Sequence, residues 1–328
     1  MKTFEKETFR ESFIKVKPFL KASAKETFRE SFIKAQSAME YLMTYGWAIL
    51  IIAVVLGALF ELGVFNANNF APKAPPGACQ VFRPNGPGTT SFINLQGVCT
   101  GEMPQYVASF GTAPAYVLIS NDSYLPVGAS ASRSITAWVY LTTIPHGVNP
   151  DIWGGTIFTQ PIYYSGTLDV CGSFNLLINN WDNPFLHKCI NDIDFGVPFK
   201  ENAWEFIAVI YNNASDTMAF YLNGQGTTIS NNGMWPASQN LTIGGWDDYA
   251  PTMSGEISNF QVYNTSLSAN DIQALYLEGI GGAPINLQHL VGWWPLDGNA
   301  DDYSGNGKNG VPTNVIYVSN WYSSYTPP

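Results

Sequence analysis

Near the C-terminus, "LDGNADDYSGNGKNG" sets Asp297, Asn299 and Asp301 at alternate positions, with Asp302 beside them. A D-x-N-x-D spacing lets oxygen ligands converge on one hard cation, so these four residues are candidate ligands for a structural calcium ion. An EF-hand loop needs Gly at its sixth position and Glu at its twelfth. Asp302 and Lys308 stand there, and that loop type is excluded. The competing reading is an Asx-rich turn bonded to its own backbone.

Cys171, His187 and Cys189 offer three zinc-type donors, but no fourth ligand accompanies them and a Cys171–Cys189 disulfide is the stronger reading. The four cysteines, Cys79, Cys99, Cys171 and Cys189, permit three pairings; Cys79–Cys99 with Cys171–Cys189 closes the shortest loops. No G-x-S-x-G, Walker or dinucleotide-binding pattern is present, and nothing pairs two carboxylates as acid and nucleophile. The expectation is a protein that is not an enzyme. Sugar binding needs exposed aromatic faces beside amides and carboxylates. One candidate stretch supplies Trp153, Tyr163, Tyr164, Trp181 and Asp182; the other, "GGWDDYAP", supplies Trp246, Asp247, Asp248 and Tyr249.

The elements that must hold these residues are strands. Charged residues make up only 12% and aromatics 14%, with 30 Gly and 21 Pro, a mix that favours a turn-rich β protein. Short β-type runs fall at 134–141, 155–160, 174–179, 204–211, 217–224, 241–246 and 255–264. One helix is expected over 266–279, with a Ser/Asn cap region and a terminal Gly279. Many strands with little helix mean an antiparallel sandwich or jelly roll.

Upstream the chain changes character. Residues 1–35 carry a net charge of +4 and an exact repeat, "KETFRESFIK", at 6–15 and 25–34. The remainder carries −14, which should repel phosphate backbones and argues against nucleic-acid binding. Residues 41–60 are uncharged, and twenty helical residues span about 30 Å, the thickness of a hydrocarbon core. Basic residues before that run and few after it place the N-terminus inside and the body outside. Four sequons, at Asn121, Asn213, Asn240 and Asn264, agree with an exported body, as do the cysteines.

The stretch "KAQSAMEYLMTYGWAILII" resembles the class III signal peptides of archaeal type IV pilin-like proteins. The resemblance implies cleavage by a prepilin peptidase between Ala35 and Gln36, with Lys34 as the recognition charge. Glu40 then falls at the fifth mature position, where it would pair with the new α-amino group of a neighbouring Gln36 during self-assembly. A carboxylate near the end of an apolar helix is costly unless it gains such a partner. The leader is longer than is usual for that family, and the serine adjoins the glutamine. A permanent single-pass anchor is the alternative.

"SITAWVYL", "WEFIAVIYNNASDTMAFYLNG" and "GEISNFQVYNTSLSANDIQALY" resemble the laminin-G/concanavalin A-like jelly-roll family, over about residues 104–310. "LVGWWPLDGNADDYSGNGKNG" resembles the first strand and loop of that family but lies near the C-terminus, which implies a circular permutation with 290–318 closing the domain. The family often binds calcium; where many members carry an Asp, this chain has Ser258 and Asn259.

The expected organisation is a basic leader (1–35), a hydrophobic pilin-type or transmembrane helix (36–66), a Pro/Gly-rich linker with a disulfide loop (67–103) and a jelly-roll domain (104–328). The functional expectation is an extracellular filament subunit, or membrane protein, displaying a head for adhesion to a glycan or surface protein. An uncleaved lectin-like receptor and, behind it, a glycan hydrolase are the alternatives.

Overall fold

The computed structural model describes residues 43, 45–61, 72–111, 114–120, 123–143, 155–164, 167–179, 182–187, 192–230, 237, 239–245 and 253–328, with backbone alone for 161–164 and 167–173. The chain divides into two compact units, Met1–Ala67 and Asn68–Pro328.

In the first unit residues 45–61 form helix α1. Trp47, Ile49, Leu50, Ile51, Ile52, Val54, Val55 and Leu56 are all exposed. At 100° per residue these positions cover every side of the helix, so it has no polar face to turn toward water. Among the described residues no helix is long and apolar enough to cross a membrane. The expected span of 36–66 extends beyond α1 into residues outside the described set.

The second unit is a sandwich. One sheet of seven strands has the spatial order β11 (Ile193–Asp194), β10 (Pro184–His187), β9 (Thr167–Ile178), β8 (Gly155–Tyr164), β15 (Leu241–Gly244), β6 (Tyr116–Ile119), β18 (Val311–Thr313). The other runs β14 (Gln225–Ser230), β13 (Thr217–Leu222), β12 (Trp204–Asn212), β7 (Arg133–Thr143), β16 (Ser254–Tyr263), β5 (Val107–Phe110), β19 (Ile316–Val318), and β17 (Leu290–Trp294) also pairs with β16. Two small ribbons precede them: β1 (Lys73–Ala74) with β4 (Met103–Pro104), and β2 (Cys79–Phe82) with β3 (Asn94–Gly97).

The runs "ITAWVY" and "FIAVIY" are apolar on both faces because the eight-stranded sheet is buried on both. Ile207, Val209 and Tyr211 of β12 point into the sandwich with Phe158, Phe174, Leu176 and Trp294. Trp204, Phe206, Ala208 and Ile210 point the other way, into a second core with Trp138, Tyr263, Trp293 and the tail residues Trp321 and Tyr325. Helix α2 (Ala269–Glu278) covers this outer face through Ile272 and Leu275. Burying each such side chain contributes about 1.5–3 kcal/mol. The helix begins with a capping box between Ser268 and Asp271 and ends at Gly279, whose φ is 79°. Between β16 and β7 the backbones approach so closely that a Cβ on Gly255 would lie 1.9 Å from the Tyr140 carbonyl oxygen.

The C-terminal segment folds back within its own chain. β17 lies beside β16, β18 beside β6 and β19 beside β5, so late strands border early ones in both sheets. The Cys79–Cys99 disulfide closes the β2–β3 ribbon. Arg83 fastens that ribbon to the segment around β17, donating to the carbonyls of Ser304, Leu287 and Leu290, and also donates to the Thr89 carbonyl in the ribbon's own connection.

Candidate functional site

One end of the seven-stranded sheet gathers the attachment points of the aromatic stretches singled out in the sequence. Gly155, which opens β8, pairs with Ile178, which closes β9, and Ile178 also pairs with Pro184, which opens β10. Strand β15 runs antiparallel to β8, with Ile243 opposite Phe158, and reaches the same end at Gly244. The segments bearing Trp153, Trp181 and Trp246–Tyr249 leave from these four strand ends. Trp153, Trp181, Trp246, Asp247, Asp248 and Tyr249 themselves lie outside the described residues.

Tyr163 and Tyr164 belong elsewhere. They sit at the far end of β8, opposite Leu168 and Thr167, nine residues from Gly155 and so about 30 Å away along the strand. The expected grouping of these tyrosines with Trp153 and Asp182 is corrected here. Strand β8 continues four residues past the expected run of 155–160 and carries both tyrosines away from that end.

At the sheet end, Asp182 takes a left-handed φ of 66°, donates its N–H to the Asn179 carbonyl at 3.1 Å and receives the Phe199 N–H at 2.9 Å on its own carbonyl. Around it lies a knot of amides and one carboxylate. Asn179 Nδ2 donates to Asp194 Oδ2 at 2.8 Å, and Asn183 Nδ2 reaches the same oxygen at 3.4 Å. Asn183 N–H donates to Asn179 Oδ1 at 3.0 Å, and Gly196 N–H to Asp194 Oδ1 at 2.7 Å. The result is a polar rim whose donors and acceptors hold one another in place. Sequence reasoning missed Asn179, Asn183 and Asp194. The Asx turn around "NNWDNP" is visible in the sequence, but Asp194 joins it only through the β10–β11 pairing.

The aspartate loop takes its own geometry. Asp297 Oδ1 receives the Tyr106 N–H at 2.6 Å. Burial pushes its carboxyl up to about 6, against the opposing pull of the Tyr106 and Gln105 N–H groups and of Lys73. Asn299 Oδ1 receives the Asp301 N–H at 3.0 Å, and its Nδ2 donates to the Tyr303 hydroxyl at 2.9 Å. Asp302 receives the N–H groups of Trp293 and Ser304 on Oδ1 and that of Lys308 on Oδ2. The oxygens of Asp297, Asn299 and Asp302 are thus engaged by the chain's own donors. Among the described residues no three His, Cys, Asp or Glu side chains gather as a metal cluster. A calcium cage does not fit this arrangement, and an Asx-turn loop that locks β17 in place does. Ser258 and Asn259 serve the same purpose: Ser258 Oγ donates to the Pro295 carbonyl, and Asn259 Oδ1 receives Trp293 Nε1–H at 2.8 Å.

His187 Nδ1 lies 2.9 Å from Asp192 Oδ2. Cys171 is on β9 with its side chain outside the described set, as is all of Cys189. Of the sequon asparagines, Asn213 and Asn264 are exposed in turns, Asn240 is half-buried just before β15, and Asn121 lies outside the described residues. Lys34, Ala35, Gln36 and Glu40 lie outside them too.

Residues 111–273 match the family model of the concanavalin A-like lectin/glucanases superfamily, and the chain carries a lectin-like domain of that type there. No curated protein matches the sequence. Among solved structures, a Bacteroides ovatus protein is 14% identical, with a TM-score of 0.48 over 69% of this chain and 67% of that one. The SAP-like pentraxin of Limulus polyphemus is 16% identical, with a TM-score of 0.45 over 67% of this chain and 98% of its own. Domains LG4-5 of the mouse laminin α1 chain are 11% identical, with a TM-score of 0.37 over 55% of this chain and 45% of theirs.

Proposed function

We propose that the chain is a surface adhesin whose lectin-like head binds glycan outside the cell while the apolar N-terminal helix holds it at the membrane or in a filament. The observation that carries this reading is the union, in one chain, of a lectin-like sandwich and a helix with apolar side chains exposed on every side. Such a helix is stable only in lipid or among other helices. The stretch around Lys34, Ala35, Gln36 and Glu40 favours the filament, through prepilin-type cleavage and pairing of Glu40 with a neighbour's α-amino group. The polar rim at Asn179, Asn183 and Asp194 favours a hydroxylated ligand over a purely apolar one.

The test is a glycan array probed with the full chain in a detergent that has no sugar headgroup. The expected result is selective retention on at least one glycan class. Uniformly blank spots at high protein concentration would leave a head that binds protein, as other domains of this architecture do, or one that serves only as a spacer.

A further inference from the structure

The disulfide-closed β2–β3 ribbon presents an outer face that the packing of the head does not use. Its register places Gln80 opposite Gln96 and Phe82 opposite Asn94. Val81 is buried and Leu95 half-buried against the second core, so alternation turns Gln80, Phe82, Asn94 and Gln96 outward. All four are exposed. The three amide side chains make no hydrogen bond to any described residue.

Phe92 stands just before β3. It is 85% exposed, and its φ is 60°. A bulky side chain in the left-handed region is a rarity, and here the strain buries nothing. The ribbon that holds it is rigid. The Cys79–Cys99 bridge joins its ends, and Arg83 ties its inner side to Ser304 and Leu290. At Gly97, φ is 100° and a Cβ would lie 1.9 Å from the Ala78 carbonyl oxygen, so the two strands close tightly at that point.

We infer that Phe82 and Phe92, with the amides of Gln80, Asn94 and Gln96, form a second binding platform, for an uncharged polysaccharide chain. Aromatic rings offer a surface to the apolar faces of sugar rings, while amides both donate to and accept from hydroxyl groups. Opposed amides on neighbouring strands stand about 5 Å apart, so adjacent hydroxyls of one residue can be met together. No exposed residue of the face carries a charge, in a chain whose net charge is −10. A sulfated or uronic-acid polymer would gain nothing at this face and would meet repulsion around it. A protein partner would need a continuous apolar patch, and here amides interrupt the rings. Disulfide closure fixes the platform before the ligand arrives, which lowers the ordering cost of binding.

This inference rests on the glycan-binding reading above, and its test separates the two. The full chain, in sugar-free detergent, is run in native gels containing a soluble glucan, mannan or galactan, or dextran sulfate as the charged probe. The expected result is retardation by at least one neutral polymer, weakened about tenfold in Phe82→Ala and in Phe92→Ala. Phe92→Gly discriminates further. It relieves the backbone while removing the ring, so thermal stability should hold or rise as binding falls. Retardation that survives all three substitutions would overturn the platform and leave the glycan reading standing. Retardation by dextran sulfate alone would overturn the uncharged ligand. Substitutions that change only the association of one copy with another would make the ribbon a self-assembly surface and overturn the proposal. A wild-type chain retarded by no polymer would overturn the platform, and the glycan array would then decide the reading of the head by itself.

Discussion

At the scale of single residues, the charged groups that the fold removes from water differ in how they are compensated. Arg133 is fully buried with no carboxylate beside it among the described residues, yet it donates to the carbonyls of Gly128 and Ala131 and to Gln160 Oε1. Asp297 is nearly buried and receives backbone N–H groups. Glu256, on β16 between Tyr140 and Ser109, has no such compensation, and burial alone pushes its carboxyl up to about 7. The folded protein therefore holds this proton more tightly than the unfolded chain does. The contribution to stability is complete below pH 4.5 and is lost as pH rises through about 7. Because the group is partly solvated, the loss is about 1 kcal/mol. Glu256→Gln should raise the urea midpoint at pH 8 and leave it unchanged at pH 4. An equal gain at both values would show that charge is not the cause. None of this was legible in the sequence, since Glu256 stands in a run that reads only as an alternating strand. The aspartate loop was legible as two readings, and it was the positions of Tyr106, Trp293 and Lys308 that decided between them.

At the scale of elements, the strands with strong apolar runs were legible. β7, β8, β9, β12, β13, β15 and β16 fall on the expected segments, and helix α2 starts and stops at its Ser268 and Gly279 signals. The elements that escaped are short or polar. β14 reads "QGTTIS" and has one outer side, while β10, β11, β18 and β19 have two to four residues each and exist only by pairing with longer neighbours. The β2–β3 ribbon hid inside what reads as a linker. Its cysteines are visible, but nothing in the sequence marks Arg83 as the anchor. Removing it leaves the Ser304, Thr89, Leu287 and Leu290 carbonyls short of a donor. Arg83→Ala should cost about 3 kcal/mol, read as a lowered melting temperature. A loss below about 0.5 kcal/mol would mean that water replaces the guanidinium freely.

At the scale of the whole molecule, the resemblance of "LVGWWPLDGNADDYSGNGKNG" to a first strand and loop marked 290–318 as the closing piece of the sandwich, and β17, β18 and β19 border β16, β6 and β5 of the same chain. What the sequence could not convey is that the eight-stranded sheet carries a second core on its outer side, roofed by α2 and the Trp321–Tyr325 tail. That roof takes the outer side of the eight-stranded sheet out of contact with solvent. The candidate rim was half legible: the Asx turn of "NNWDNP" can be seen in the sequence, while the arrival of Asp194 depends on the β10–β11 pairing.

The filament form of the proposed function requires the sandwich to be carried outside the membrane by a trimmed apolar helix. N-terminal sequencing of protein sheared from the outer surface of intact cells tests this most directly. The account predicts recovery of the head on a chain beginning at Gln36. Recovery of the head only after cell lysis, on a chain beginning at Met1, would contradict it.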